Sequence, residues 1–350
     1  MVNRKDVIEY LDIVKSLKKS FTFFDCHAHP FDILLNEFQY RPSPVNESVY
    51  SIDDSRFTEP TLSDLPLEQS NSNTEIINVR LREKFLATKI KRLYAHTGPK
   101  VFGAHMELSG LDKVLLLPVE RNNGAIKCMT TLTGEVFRND NRFVLGCSIP
   151  PSISDDEIAE YMKGMVNRFN VKAVKLHPNI MEIDPSSKSG RERIERILSG
   201  CNQFDLSLII HGGMSLSVRN SHARSYGLID NLKGINWALS DATVVIAHAG
   251  SYECDQHLVE NDILPVLKRM LLAHNNLMID ISGLEVGVLI LILRNIEIDR
   301  IVFGSDALYE SQWSRMVKLI YALKKIRRDF ENDLNRIMSI NPSNSVFKDK

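Results

Sequence analysis

Eight short apolar runs, each followed by a stretch of helical periodicity, constrain the fold of this 350-residue chain more than any other feature. They lie near residues 22, 112, 144, 172, 207, 244, 277 and 301. Runs such as LDKVLLLPV (111–119) and TVVIAHAG (243–250) are apolar throughout rather than alternating. That pattern belongs to strands covered on both faces, which in turn means parallel strands packed by helices. The intervening segments supply those helices, over 188–200, 229–239, 256–273, 285–296, 311–328 and 331–339. Ser154 with Glu157 three residues on forms a capping box ahead of another. Eight such units in an α/β chain of this size predict a closed (β/α)8 TIM barrel over 1–350, as one domain. An open doubly wound sheet is the alternative, and no G-x-G-x-x-G follows any run to support it.

Two segments stand outside the repeat. Residues 4–19 read as an extra amphipathic helix, with Val7, Ile8, Leu11, Val14 and Leu17 on its apolar side. Residues 31–74, punctuated by Pro42, Pro44, Pro60 and Pro66, form a long polar insertion after the first strand. An insertion of this length is either a lid near the active-site mouth or a spacer. A helix over 75–96 follows it.

The charge balance excludes some partners. The formal net charge is -1, which gives no electrostatic footprint for nucleic acid. The basic run Lys324, Lys325, Arg327 and Arg328 falls in a helical pattern and reads as a solvated face. No apolar run is long enough to span a bilayer, and the first twenty residues are too charged for a secretory signal. Cys26, Cys128, Cys147, Cys201 and Cys254 are odd in number and lack a C-x-x-C. That argues against a disulfide framework and for a reducing, cytoplasmic setting. Cys26 itself reads as a small core residue.

The chemistry lies at the ends of the runs. In FTFFDCHAHP (21–30), strict alternation puts Phe23, Asp25, His27 and His29 on one face and Phe24, Cys26 and Ala28 on the other. Two imidazoles at one strand end make a metal clamp. Lys175 and His177 end the fourth run, sharing a face with residues 171 and 173. His211 ends the fifth, His248 the sixth and Asp306 the eighth. In a parallel barrel all of these ends meet at one mouth. A single histidine there is better explained by a structural hydrogen bond than by metal ligation, but the set is not. Imidazoles with one carboxylate suit a borderline divalent cation, Zn2+ first, with Mn2+, Fe2+, Co2+ or Ni2+ as alternatives. Such a site would activate a water for attack on a small-molecule substrate. Asp306 would bind the cation and take the water proton. His248 would act as an acid or donate to developing negative charge. His177 either contacts substrate or caps its strand. Arg219 and Arg224, flanking His222, either clamp a substrate carboxylate or are surface charges. His96, His105, His257 and His274 read as bystanders.

At these residues the chain resembles the amidohydrolase superfamily, in its amidohydrolase-related (amidohydrolase 2) branch of metal-dependent TIM-barrel hydrolases and decarboxylases. The resemblance rests on His27-Ala28-His29, VKAVKLHP, His211 in IIHGG, His248 in AHAG, Asp306 in FGSDA and the closing INPSNSVF. It covers roughly 21–347. It implies one divalent metal held by His27, His29, His211 and Asp306, with His248 beside it as a catalytic or substrate-contacting residue. In other branches a carboxylated lysine at strand four bridges two metals, and Lys175 has the residue type and parity for that. A single metal is the expectation here. The resemblance implies hydrolysis of an amide, ester or lactone, with nonoxidative decarboxylation of an aromatic or unsaturated acid as the alternative. A non-enzymatic barrel scaffold is the remaining reading. A homodimer is the family-based expectation for assembly.

Overall fold

The computed structural model describes residues 4–30, 99–121, 128–326 and 329–348. The 31–74 insertion, the 75–96 helix, His96, Arg327 and Arg328 lie outside the described residues.

Eight parallel strands pair in chain order: β1 (Phe24–Ala28), β2 (Lys113–Leu116), β3 (Phe143–Cys147), β4 (Ala173–Leu176), β5 (Ser207–Ile210), β6 (Val244–Ile246), β7 (Leu277–Asp280) and β8 (Ile301–Val302). The sheet closes on itself at the seam between the last strand and the first. There Cys26 N–H donates to Phe303 O at 2.9 Å, and Asp306 N–H donates to His27 O at 2.8 Å. The chain is thus a TIM barrel, as the eightfold pattern predicts.

The main helices cover the sheet: α1 (Arg4–Leu17), α2 (Pro99–Ser109), α3 (Met129–Phe137), α4 (Ile158–Phe169), α5 (Lys188–Phe204), α6 (Leu264–Ala273), α7 (Val286–Asn295) and α8 (Gln312–Ile326). The Ser154–Glu157 capping box is formed ahead of α4. One predicted helix is not: 229–239 contains only short turns, Ile229–Leu232 and Trp237–Leu239. Gly234 interrupts the run, and glycine costs about 1 kcal/mol in a helix interior.

Two apolar clusters follow from the alternation of strand side chains. The outer one, between sheet and helices, holds Val114, Leu145, Val174, Leu208, Val244 and Ile279. The inner one holds Leu115, Ala173, Ile209, Val245, Met278 and Val302. Val346 and Phe347 join the inner cluster, the Phe347 ring tilted against Phe24 at the start of β1 with centroids 4.6 Å apart. The C-terminal segment therefore plugs the end of the barrel opposite the mouth. Asn341 ties that plug to the wall by donating to Ile298 O and Ile301 O, each at 2.7 Å.

Strict alternation fails in β1. Phe24 and Cys26 point into the barrel, whereas Ala28 belongs to the outer cluster. The β1–β2 register shifts between Asp25 and Ala28, as a bulge does when it re-aims a side chain. Asp25 therefore does not share the face of His27 and His29. Its carboxylate accepts from Ser305 N–H at 3.0 Å, Ser305 Oγ at 2.6 Å and Gln312 Nε2 at 2.8 Å instead.

Candidate metal centre

The mouth is built from the residues that follow each strand. His27 Nε2 lies 3.2 Å from His29 Nε2, and His29 Nε2 lies 3.3 Å from Asp306 Oδ1. His27 Nε2 and Asp306 Oδ1 are 3.9 Å apart. All three residues are at most 4% exposed. Nitrogen donors about 2.0–2.1 Å from a shared tetrahedral ion stand about 3.3–3.4 Å from one another. The two short separations match that edge, so the donor set fits a small divalent cation. Among the described residues, donor atoms of His27, His248 and Asp306 all lie within 4.8 Å of one another.

Fixed acceptors set the imidazole tautomers. His29 Nδ1 faces Leu117 O at 2.8 Å. His27 Nδ1 faces Asp280 Oδ2 at 2.9 Å. His248 Nδ1 faces Ser282 O at 2.9 Å. A carbonyl or an ionised carboxylate only accepts, so in each ring the proton sits on Nδ1 and the Nε2 lone pair is bare. Lys175 Nζ lies 2.8 Å from His27 Nε2. Lys175 is thus at the centre, as its parity predicts.

The electrostatics follow from burial. Burial pushes the Lys175 ammonium down to about 8, against the opposing pull of Asp280 and Asp306. Burial first, and Lys175 second, lower His27 to about 3. Burial likewise lowers His177 and His211 well below the imidazole range and lowers His248. Burial alone would raise Asp306, but the close His29 ring first, and the other nearby imidazoles after it, outweigh burial and hold it below the usual carboxylate range. The imidazoles of His27, His177, His211 and His248 are therefore neutral and Asp306 is an anion, the states in which they can ligate or take up a proton.

Beside these donors is a cavity with about 40 Å³ of room, enough for one or a few waters on the scale of about 10–15 Å³ each. His29, His177, His211, His248, Tyr252 and Asp306 line it. His177 and His211 stack 3.9 Å apart with their planes 10° from parallel. His211 Nε2 lies 3.3 Å from Met214 O and 3.2 Å from Ser215 Oγ. His177 caps the short helix Pro178–Met181, its Nδ1 accepting from Ile180 N–H at 3.4 Å. The ring thus caps the helix that follows its strand and lines the cavity.

The arginines are placed elsewhere. Arg219 is exposed, and Arg224 Nε donates to Val218 O at 2.8 Å. Neither is among the described residues that line the cavity.

One residue that matters here was missed in the sequence. Asp280 ends β7 fully buried, one oxygen on His27 and the other accepting from His248 N–H and Ser282 N–H, both at 2.9 Å. Burial opposes its charge, but His27, His248 and Ser282 hold it below the carboxylate range. The signal was available, because NLMIDISG ends in an acid just as RIVFGSDAL does.

Backbone strain marks the same place. Among the described residues, seven other than glycine have positive φ; Asn170, Glu182 and Asp205 terminate helices. The other four are His248, Ala249, Glu253 and Asp306, all at the mouth. Such conformations cost about 1 kcal/mol or more each and concentrate at functional sites. Gly304 serves the same packing, because a Cβ there would sit 2.8 Å from His27 Cβ.

Comparison with known proteins agrees with this geometry. A family model described as amidohydrolase matches residues 121–342. No curated protein matches the chain. An uncharacterised TIM-barrel protein from Bordetella bronchiseptica is similar in structure, with TM-score 0.57, 11% identity, and 92% of this chain and 97% of that one covered. An amidohydrolase from Burkholderia multivorans with bound zinc has TM-score 0.55 at 12% identity, covering 93% and 99%. A 5-carboxyvanillate decarboxylase from Novosphingobium aromaticivorans, complexed with manganese and a nitrobenzoic acid, has TM-score 0.53 at 12% identity, covering 94% and 96%. At these identities the likeness is one of fold.

Proposed function

The chain belongs to the amidohydrolase family, and from that premise we propose that it is a divalent-metal-dependent hydrolase of an amide, ester or lactone in a small molecule. The observation that carries this reading is the convergence of bare imidazole nitrogens and the Asp306 carboxylate beside a cavity with room for water. His27, His29 and Asp306 would hold the ion together with one further imidazole, from the end of β5 or β6. Zn2+ suits this donor set best, and the similar Burkholderia structure carries zinc. When bound, the ion supplies Lewis acidity, polarising a substrate oxygen and lowering the pKa of water.

The chain's own groups do the rest. Asp306, ionised and buried, would accept the proton of the attacking water. His177 accepts on Nδ1 from Ile180 N–H, so its Nε2 bears a proton. That N–H, on a ring lining the cavity, orients a substrate oxygen. Burial of the site strengthens each of these interactions.

We favour hydrolysis of an uncharged substrate over decarboxylation because Glu253 contributes a carboxylate to the cavity wall, where like charge disfavours a substrate carboxylate.

The test is a panel of neutral lactones, esters and amides together with aromatic acids, run in 18O-water with Zn2+- and Mn2+-loaded protein. Solvent 18O in the product acid is the expected result. Release of CO2 without solvent oxygen would transfer the assignment to decarboxylation.

A further inference from the structure

We infer that Ser217, in the loop after β5, is the specificity-determining residue for a hydroxyl group on the substrate, so that the site takes a hydroxylated lactone, ester or amide in preference to its unsubstituted analogue. This rests on the reading of the mouth as a hydrolase site for an uncharged small molecule.

Residues 213–227 form a loop whose two ends are tied together. Gly213 N–H donates to Gly227 O at 2.7 Å, and Met214 N–H donates to Tyr252 O, after β6, at 2.8 Å. Gly213 has φ 118°, and a Cβ on it would strike the Tyr252 backbone, so the neck of the loop requires glycine. Within the loop Ser215 N–H donates to Arg224 O at 2.9 Å and Val218 N–H donates to Ser215 O at 3.0 Å. Leu216 N–H donates to the Glu253 carboxylate at 2.6 Å. Asn179 Nδ2 donates to Arg224 O and Arg224 Nε donates to Val218 O, each at 2.8 Å. The backbone on both sides of Ser217 is therefore held by residues that follow β4 and β6 as well as by the loop itself.

Ser217 is the exception to this pairing. It is 6% exposed and lines the cavity together with His29, His177 and Asp306. Its Oγ is buried and meets no hydrogen-bond partner among the described residues. The hydroxyl of Ser215, by contrast, lies 3.2 Å from His211 Nε2. A buried hydroxyl without a partner has given up its hydration and gained nothing in exchange. Such groups are rare in folded chains and each has a reason. Here the reason is the cavity, because a ligand held in it gives the hydroxyl its partner.

The chemistry of the wall defines what that ligand carries. A serine hydroxyl both donates and accepts, whereas the Glu253 carboxylate on the same wall only accepts. A substrate hydroxyl matches both, since it accepts from Ser217 Oγ–H and has a proton of its own to give. A carbonyl oxygen has no proton to give, and a carboxylate would meet like charge at Glu253. The cavity has about 40 Å³ of room, which suits a small polar substituent rather than a branched alkyl arm. A site that hydrogen-bonds a substrate hydroxyl rejects the analogue lacking it, because the buried polar group of the site is then left unpaired.

The experiment compares Zn2+-loaded wild type, Ser217→Ala and Ser217→Thr, with γ-butyrolactone and its α- and β-hydroxy derivatives as probes. Discrimination is read as the ratio of kcat/KM values where the lactones are hydrolysed, and as the ratio of dissociation constants from ligand-observed NMR where they are not. Wild type should prefer at least one hydroxylated lactone over γ-butyrolactone by about 3–10-fold, the scale of one neutral hydrogen bond. Ser217→Ala should abolish that preference, and Ser217→Thr, which keeps the hydroxyl, should retain much of it. Because the Ser217 hydroxyl has no partner among the described residues, Ser217→Ala should melt no lower than wild type. A wild type without the preference, or a preference that survives in Ser217→Ala, would overturn the inference. A melting temperature several degrees lower in Ser217→Ala would also overturn it, by marking the hydroxyl as structural. Lactones bound with the expected preference but left intact would remove the proposed hydrolysis and leave the role of Ser217 standing.

Discussion

Asp306 donates its backbone N–H to the His27 carbonyl at 2.8 Å, so the last strand closes on the first at two of the candidate metal donors. The seam of the barrel and the floor of the site are therefore one structure. Asp25 fastens it from behind, accepting from Ser305 and Gln312 on one side and from His27 N–H at 3.1 Å on the other.

Asp25→Ala should therefore destabilise the fold strongly. The substitution strands several buried donors, each costing about 1–3 kcal/mol when unsatisfied. A loss of about 3 kcal/mol or more is expected, read from the urea midpoint at constant slope. An unchanged midpoint would remove Asp25 from the seam.

His27→Ala should lose both metal and activity. Affinity should fall by at least about 100-fold, since a ligand matters no less than its supporting carboxylate. Elemental analysis of the purified variant checks this. Free Zn2+ at about 100 times its Kd should stabilise wild type by about 2.7 kcal/mol, and the variant much less. A variant with full metal occupancy would count against His27 as a donor.

Glu310→Ala should cost more than Arg315→Met. Glu310 pairs with both Arg315 and Lys318, the latter at 2.5 Å, and both cations are at most 5% exposed. Removing the acid leaves two buried like charges, worth about 3–5 kcal/mol, whereas an apolar replacement of one cation is better tolerated. Denaturant unfolding of the two variants ranks them. The reverse order would show that the Arg315 bond to Leu284 O, at 2.6 Å, dominates instead.

Asp140 should make a small acid-labile contribution to stability. Hydrogen bonds from Arg142 hold its carboxyl below the ordinary range. A depressed folded-state pKa gives stability that is present above the unfolded value and is lost as pH falls through the folded one. The pair is only partly buried and is screened by solvent, so less than about 1 kcal/mol is at stake. The difference in melting temperature between wild type and Asp140→Asn should be visible at pH 7 and shrink as pH falls below the ordinary carboxylate range. A difference that grows in acid would reverse the sign.

The sequence alone carried the architecture. Eight apolar runs, each with its helix, have one economical closed arrangement, and every run became a strand within about two residues of the position read. His27, His29, Lys175, His211, His248 and Asp306 were all recognisable because strand ends are local and polar residues there interrupt an apolar pattern. The His27–His29 pair kept its meaning even though the alternation behind it failed, because the β1 bulge turned Asp25 away to Ser305 and Gln312.

What the sequence could not decide is how these side chains are aimed. Which imidazole offers a bare nitrogen depends on the group that holds its other nitrogen. For His27 that group is Asp280, 253 residues away in the chain, and for His248 it is Ser282, 34 residues away. The left-handed backbones of His248 and Asp306 arise in the same way, from packing at the mouth rather than from local preference. Residue type and spacing are properties of a segment and can be read along it. Tautomer, strain and aim are properties of contacts between segments, and only the closed barrel brings those into being.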